Sequence, residues 1–403
     1  MKKKRKINKK HCIITLAILI ALFICVYKGI SFIFQEKLEI LGDQKMTLML
    51  HSPYIEYGTN IKDVKIEGEV NTNKAGQYQI HYTYQHQNVV REVEVLDNQQ
   101  IVMNLNGDQN TYVKQGQPYI ESGCHVIDQD DGDLTKEVQI KGEVDTSKIG
   151  DYEIIYTVEN KNHIICAKKR IVHVVGEKDF IPNTKGIPVL MYHYVYTKND
   201  LPKQLNTNYI EDTKLEEQLK YLKQENYYFP SYQELSAYIH GKIDLPQKSV
   251  ILTFDDGQKG FLEYGIPLLE KYQIPATSFL ISSKDGDKTI LRYASEYISF
   301  QSHSYDMHKG GGTIGHGGII SALNTEQITE DLLKAQKIVQ NSEAFAYPYG
   351  DVTSQAQVAI KKANILCAFT TQYGKVKKGD DPTKLKRVRV LGDGSLQSYM
   401  NIL

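Results

Sequence analysis

Three short runs in the second half of the 403-residue chain hold residue types suited to hydrolysis or metal binding. Thr253-Phe-Asp-Asp-Gly257 ends a strongly apolar run, Ser249 to Phe254. Adjacent carboxylates at a strand end point in different directions, so one of Asp255 and Asp256 can hold a metal while the other handles a proton. Asp-Asp-Gly is also an ordinary turn. Gln301 to His308 carries His303 and His308. On a helix this spacing would splay the two imidazoles by about 140°, so they converge only in a loop. An Asp with two His forms a ligand set that leaves coordination positions open. In Phe345-Ala-Tyr-Pro-Tyr-Gly350, the residues Tyr347, Pro348 and Tyr349 can wall a concave site. A backbone N–H in such a turn can stabilise an oxyanion. Alone, each run is weak.

The elements that must position them alternate in type. Apolar strand patterns are expected at PVLMYH (188–193), SVILTF (249–254), ATSFLI (276–281), YISFQSH (297–303), AFAYP (344–348), LCAFTT (366–371) and LKRVRV (385–390). Between them lie helical patterns. Thr213 and Glu216 predict a capping box for a helix burying Leu215, Leu219 and Leu222. Others are expected over 261–272, from Asn324 and Gln327 toward Val339, and after Ser354 and Gln357. Repeated β/α units with fully apolar strands predict a parallel, incomplete (β/α) barrel over 187–403. In such barrels chemistry gathers at the C-terminal strand ends, where the three runs fall.

Taken together and in this order, the three runs resemble the NodB-type polysaccharide deacetylases, carbohydrate esterase family 4, over roughly residues 187–391. The resemblance implies that Asp255 is the catalytic base and that Asp256, His303 and His308 are metal ligands. The five-residue histidine spacing is similar to the subgroup that deacetylates poly-N-acetylglucosamine. The family's last motif, a C-terminal Leu-x-His, is absent here; that subgroup is circularly permuted, which makes His193 of the leading strand the general acid. Two departures stand out. Ala346 occupies the usual place of an arginine, and a chain with no Trp lacks the Asp/Trp motif. Arg387 or Arg389 is a substitute guanidinium for tuning Asp255. Gly310 to Gly318 reads as a lid or an insertion, with His316 a minor option as a further ligand.

The N-terminal half is organised differently. Seven cations in the first ten residues (1–10, a cytoplasmic tail) precede an apolar stretch, 11–34. That stretch predicts a single membrane span, N-terminus inside and the rest outside the cell; a cleaved signal peptide is the competing reading. Gly68 to Thr83 repeats as Gly142 to Thr157, each with period-two alternation. Two all-β sandwiches are expected, 37–97 and 98–175, resembling bacterial immunoglobulin-like surface repeats. They read as spacers carrying the later domain away from the membrane. Asp128, Asp130, Asp131 and Asp133 read as a solvated turn rather than a calcium loop. Cys124 and Cys166 are either a disulfide or two buried thiols. Net charge is zero, and nothing in the chain after its basic start suggests nucleic acid.

The expected whole is a membrane-tethered multidomain enzyme removing N-acetyl groups from poly-N-acetylglucosamine or peptidoglycan. Asp256, His303 and His308 would hold a divalent metal, zinc by default, with cobalt, nickel or iron possible in this family. Asp255 would take the proton of water, His193 would protonate the leaving amine, and the Tyr349 N–H would hold the oxyanion. The alternative is a catalytically degenerate adhesin or scaffold that binds glycan through its immunoglobulin-like domains.

Overall fold

The computed structural model describes residues 36–97 and 100–403. The expected tail and membrane span lie outside the described residues, and no helix among those described is long and apolar enough to cross a membrane. The chain divides into two compact units: residues up to Thr47 with Tyr54–Leu96, and Leu48–Pro53 with Asp97–Leu403.

In the first unit, strands Lys65–Glu67, Gly76–Tyr84 and Gln87–Leu96 form an antiparallel sheet. Alternation turns Ile80 and Tyr82 inward, where they pack on Leu38, Ile40, Tyr54 and Ile61. That second layer is irregular chain joined by a single bridge, Ile40 to Thr59, rather than the regular sheet a sandwich predicts. The sequence repeat returns in the second unit as strands Gln139–Lys141, Gly150–Glu159 and Ile164–Val175, with Asn110–Lys114 added in parallel. Here Ile101–Leu105, Cys124–Asp128 and Gly132–Asp133 form a separate three-stranded sheet. Gly68 and Gly142 mark one shared backbone need: φ is +114° and +124°, and a Cβ at either would strike a carbonyl oxygen of the next strand.

Both repeats also bury an arginine that the pattern of apolar residues gave no reason to expect. Arg91 pairs across the hairpin with Ile80, and Arg170 with Ile154. Each guanidinium lies 5.6 Å from a tyrosine ring, Tyr82 or Tyr156, whose hydroxyl donates to Glu56 or Glu121 respectively. The Asp128 carboxylate accepts the N–H groups of Asp130 and Asp131 and the Asn160 amide, so it builds a turn. Cys124 and Cys166 are buried free thiols, each pushed up to about 12 by burial.

The C-terminal half is a closed barrel of seven parallel strands: Val189–Tyr192, Ile251–Phe254, Ala276–Leu280, Ile298–Ser302, Ala344–Ala346, Cys367–Tyr373 and Leu385–Arg389. The first strand closes it by pairing with both Ile251–Phe254 and Leu385–Arg389. Both faces are covered, which is why the strands read as unbroken apolar runs. Val189, Ile251, Phe279, Ala346, Phe369 and Leu385 share one core with helix Tyr232–Ile239, while Leu252, Phe254 and Val388 face another that includes Leu215, Leu219 and Leu222. The helix bearing those leucines, Asp212–Gln224, is capped differently from expectation. It starts after Glu211 without a side-chain cap, and Glu216 instead takes Lys271 and the Tyr272 hydroxyl. Asn324 and Gln327 do form a capping box, whereas Thr353 rather than Ser354 caps the following helix.

The second immunoglobulin-like domain is docked on the barrel, which departs from a free spacer. Ser122 and Ser231 hydroxyls meet at 2.7 Å, the Asn104 amide donates to the Glu296 carbonyl, and Gln117 exchanges two hydrogen bonds with Asp244. The Asn106 amide donates to Glu343, which also takes the amides of Gln233 and Gln301. Burial pushes Glu343 up to about 7 although the Gln233 and Gln301 amides pull the other way. The folded protein therefore keeps a proton that the unfolded chain releases near 4.5, so this group's contribution to stability falls as pH rises from there to about 7. Glu343→Gln, neutral throughout, should gain in Tm relative to the native protein by at least about 2 °C more at pH 8 than at pH 5. Thermal unfolding at both pH values checks it; an equal difference would contradict it.

Candidate functional site

The three runs meet at the C-terminal mouth of the barrel. Along Ile251–Phe254 and just past it, Ile251, Thr253 and Asp255 alternate inward. The Asp255 N–H still bonds to the Tyr192 carbonyl at 3.0 Å, so the carboxylate is delivered at the end of regular pairing. The chain then turns sharply: Asp256 has φ 73° and Gly257 φ 58°, and a Cβ on Gly257 would lie 2.4 Å from a Leu280 methyl. Left-handed backbone at an Asp is tolerated, and here it swings the second carboxylate over the mouth.

Asp256 Oδ1 lies 3.3 Å from His303 Nε2 and 3.2 Å from His308 Nε2. One ligand atom from each of the three residues falls within 4.8 Å of the others. His303 Nδ1 is 2.7 Å from the Ala346 carbonyl, so it donates there and turns Nε2 toward Asp256. The five-residue histidine spacing works because the intervening chain is a tight turn. Ser304 takes φ 78°, the Met307 N–H bonds to its hydroxyl, and Met307 anchors in the core. Asp331, from helix Thr325–Val339, accepts the N–H groups of Tyr305 and Asp306 at 2.7 and 2.9 Å. His308 stacks on Tyr349 with ring centroids 4.7 Å apart. Burial would raise the Asp256 carboxyl, but hydrogen bonds from His303 and His308 outweigh it and hold the group anionic. Two imidazole nitrogens and a carboxylate oxygen, with one imidazole oriented by a carbonyl, fit a divalent transition metal.

Asp255 is paired differently. Arg387 donates from both terminal nitrogens to its two oxygens at 2.7 Å each, and is itself held by the Thr370 carbonyl and the Thr253 hydroxyl. Both side chains are almost wholly buried. Burial would raise the Asp255 carboxyl; the guanidinium outweighs it and holds the group below the usual carboxylate range. Arg389, the other arginine of that strand, is exposed at its end and bonds to Asn208, so it does not reach Asp255.

His193 directly follows the closing strand, and its position between the strands of Asp255 and Arg387 puts it at the same mouth. Burial pushes its imidazole below the ordinary range, against the attraction of Asp255 and Asp256. Tyr349 sits over His308 with φ 60°. Tyr347 is turned elsewhere. It shares parity with Phe345, packs in the helix layer and donates its hydroxyl to the Thr383 carbonyl. Pro348 is buried beside it. The glycine loop is closed by the Asp351 carboxylate, which accepts the N–H groups of His316 and Gly318. The His316 ring lies 3.7 Å from Asp351, and His316 is absent from the ligand group. One close partner carried no signal in the motifs: the Tyr194 hydroxyl donates to Asp256 Oδ2 at 2.8 Å.

Comparison with known proteins matches two families to different parts of the chain. The family of bacterial surface protein Ig-like domains matches residues 38–95 and 103–174, and the polysaccharide deacetylase family matches 242–368. A poly-beta-1,6-N-acetyl-D-glucosamine N-deacetylase of Staphylococcus epidermidis is 27% identical over 232 residues, covering 51% of this chain and 78% of that protein. Its namesake in Staphylococcus aureus (strain MRSA252) is 26% identical over 230 residues, with the same coverage. Among solved structures, the Streptococcus pyogenes deacetylase PplD in complex with acetate aligns over 55% of this chain and 99% of that one, at 23% identity and TM-score 0.47. IcaB from Ammonifex degensii aligns over 55% and 98%, at 25% identity and TM-score 0.44.

Proposed function

We propose that this chain, a NodB-type polysaccharide deacetylase domain behind bacterial Ig-like domains, removes N-acetyl groups from a cell-surface N-acetylglucosamine polysaccharide by hydrolysis. The observation that carries this is the convergence of Asp256, His303 and His308 beside a buried Asp255–Arg387 pair at the mouth of a parallel barrel. The named relatives favour poly-β-1,6-N-acetylglucosamine over peptidoglycan as the substrate.

The metal ligands are assigned to Asp256, His303 and His308, and zinc is the ion we assign; a divalent ion there supplies Lewis-acid polarisation of water and the acetamide carbonyl. Asp255, kept anionic by Arg387, takes the proton of the attacking water. The N–H of Tyr349 stabilises the oxyanion, and the Tyr349 ring holds His308 in place. His193, on the neighbouring strand end, delivers a proton to the departing nitrogen. Acetate and a glucosamine unit that becomes cationic in water are the products. The basic tail and apolar stretch of 1–34 support an outward-facing, membrane-held location.

The test is acetate release from purified poly-β-1,6-N-acetylglucosamine and from peptidoglycan, before and after chelation. Acetate from the first glycan, lost with chelator and restored by a divalent ion, is the expected result. A metal-loaded protein that releases acetate from neither glycan returns the chain to the scaffold reading.

A further inference from the structure

Past His193 the chain returns to extended backbone. Tyr194–Tyr196 runs on as a short strand and pairs in parallel with Tyr209–Glu211, outside the barrel sheet. Alternation divides this ribbon into two faces. Val195 and Ile210, each 2% exposed, point into the barrel's main core. The other face presents Tyr194, Tyr196 and Tyr209, all only half-buried. Their rings form a chain, with centroids 4.7 Å apart from Tyr194 to Tyr209 and 6.5 Å apart from Tyr209 to Tyr196.

The chain of rings begins at the reaction centre, because the Tyr194 hydroxyl is on Asp256. It is also firmly based. The Gly392 N–H bonds to the Thr207 carbonyl, and Arg389 holds Asn208, the residue before Tyr209. Gly392 packs so closely on the Tyr209 carbonyl that no side chain would fit there. Aromatic rings that keep part of their surface open to water beside a hydrolytic centre suit the apolar C–H faces of pyranose rings and their hydroxyl edges together.

We propose that Tyr196 and Tyr209 form a subsite for a sugar unit flanking the one whose acetamide is cleaved, making this ribbon a determinant of preference for polymer over short substrate. The proposal rests on the deacetylase reading above. Tyr194 stands between the two sites and positions the Asp256 carboxylate.

The experiment compares kcat/KM for acetate release from the dimer and the pentamer of β-1,6-linked N-acetylglucosamine, using the metal-loaded full chain. The native enzyme should favour the pentamer. Tyr196→Ala and Tyr209→Ala should each reduce that preference by about tenfold, mainly through KM. Tyr196→Phe, which keeps the ring, should restore it and so separate stacking from misfolding. Native activity with its length preference unchanged in both alanine variants overturns the subsite alone. A native enzyme that releases no acetate from either oligomer overturns the parent reading and the subsite with it.

Discussion

Asp255→Asn should lower kcat for acetate release by about 10²–10⁴ while leaving bound metal at the native level. The two neighbouring carboxylates face different partners. Asp255 faces the barrel interior and spends both oxygens on Arg387, whereas Asp256, thrown to the other side by its left-handed backbone, faces the two imidazoles. Removing the charge at 255 takes away a proton acceptor and no ligand. Asp256→Asn is the contrast: it weakens the ligand set itself, so metal content and turnover should fall together. Metal analysis of both proteins alongside initial rates distinguishes them. If Asp255→Asn lost its metal, or turned over at the native rate, the assignment of base and ligand would be wrong.

That division was partly legible in the sequence, and the reason is physical. Strand ends such as Phe254 and Ser302 are followed by polar residues that apolar alternation cannot use, so Asp255, Asp256 and His303 stood out at once. The seven strands were legible because a barrel covered on both faces demands unbroken apolar runs. What stayed hidden depends on depth or on contacts distant in the chain. Arg387 and Arg389 share one face of one strand, and only their depth decides that the first meets Asp255 while the second reaches Asn208. Tyr347 looked like part of the pocket wall, yet its parity with Phe345 sends it to the helix layer. Asp331 holds the histidine turn from a helix that begins some twenty residues later, and nothing in its own surroundings marks it. The docking of the second Ig-like domain was hidden in the same way, since it runs through Asn, Gln and Ser side chains that read as ordinary surface.

Arg387→Met should destabilise the protein by about 3–5 kcal/mol, more than any surface substitution, because it leaves the Asp255 carboxylate buried and unpaired. It also strips partners from the Thr370 carbonyl and the Thr253 hydroxyl inside the barrel. Adding Asp255→Asn to Arg387→Met should recover part of the loss, since the second substitution removes the stranded charge. Denaturant unfolding of the two single variants, the double variant and the native protein closes the cycle; a double variant no more stable than Arg387→Met would refute the pairing. Arg387→Lys should rescue poorly, because an ammonium cannot reproduce two parallel bonds to one carboxylate. The same geometry bears on Ala346, the position at which the resemblance leads one to expect an arginine. Its carbonyl holds His303, and the last strand, paired with the first, brings the Arg387 guanidinium to Asp255 instead. Closure of the barrel by its first strand is what places that last strand within reach. The Asp255 carboxylate is therefore held anionic by topology as much as by motif.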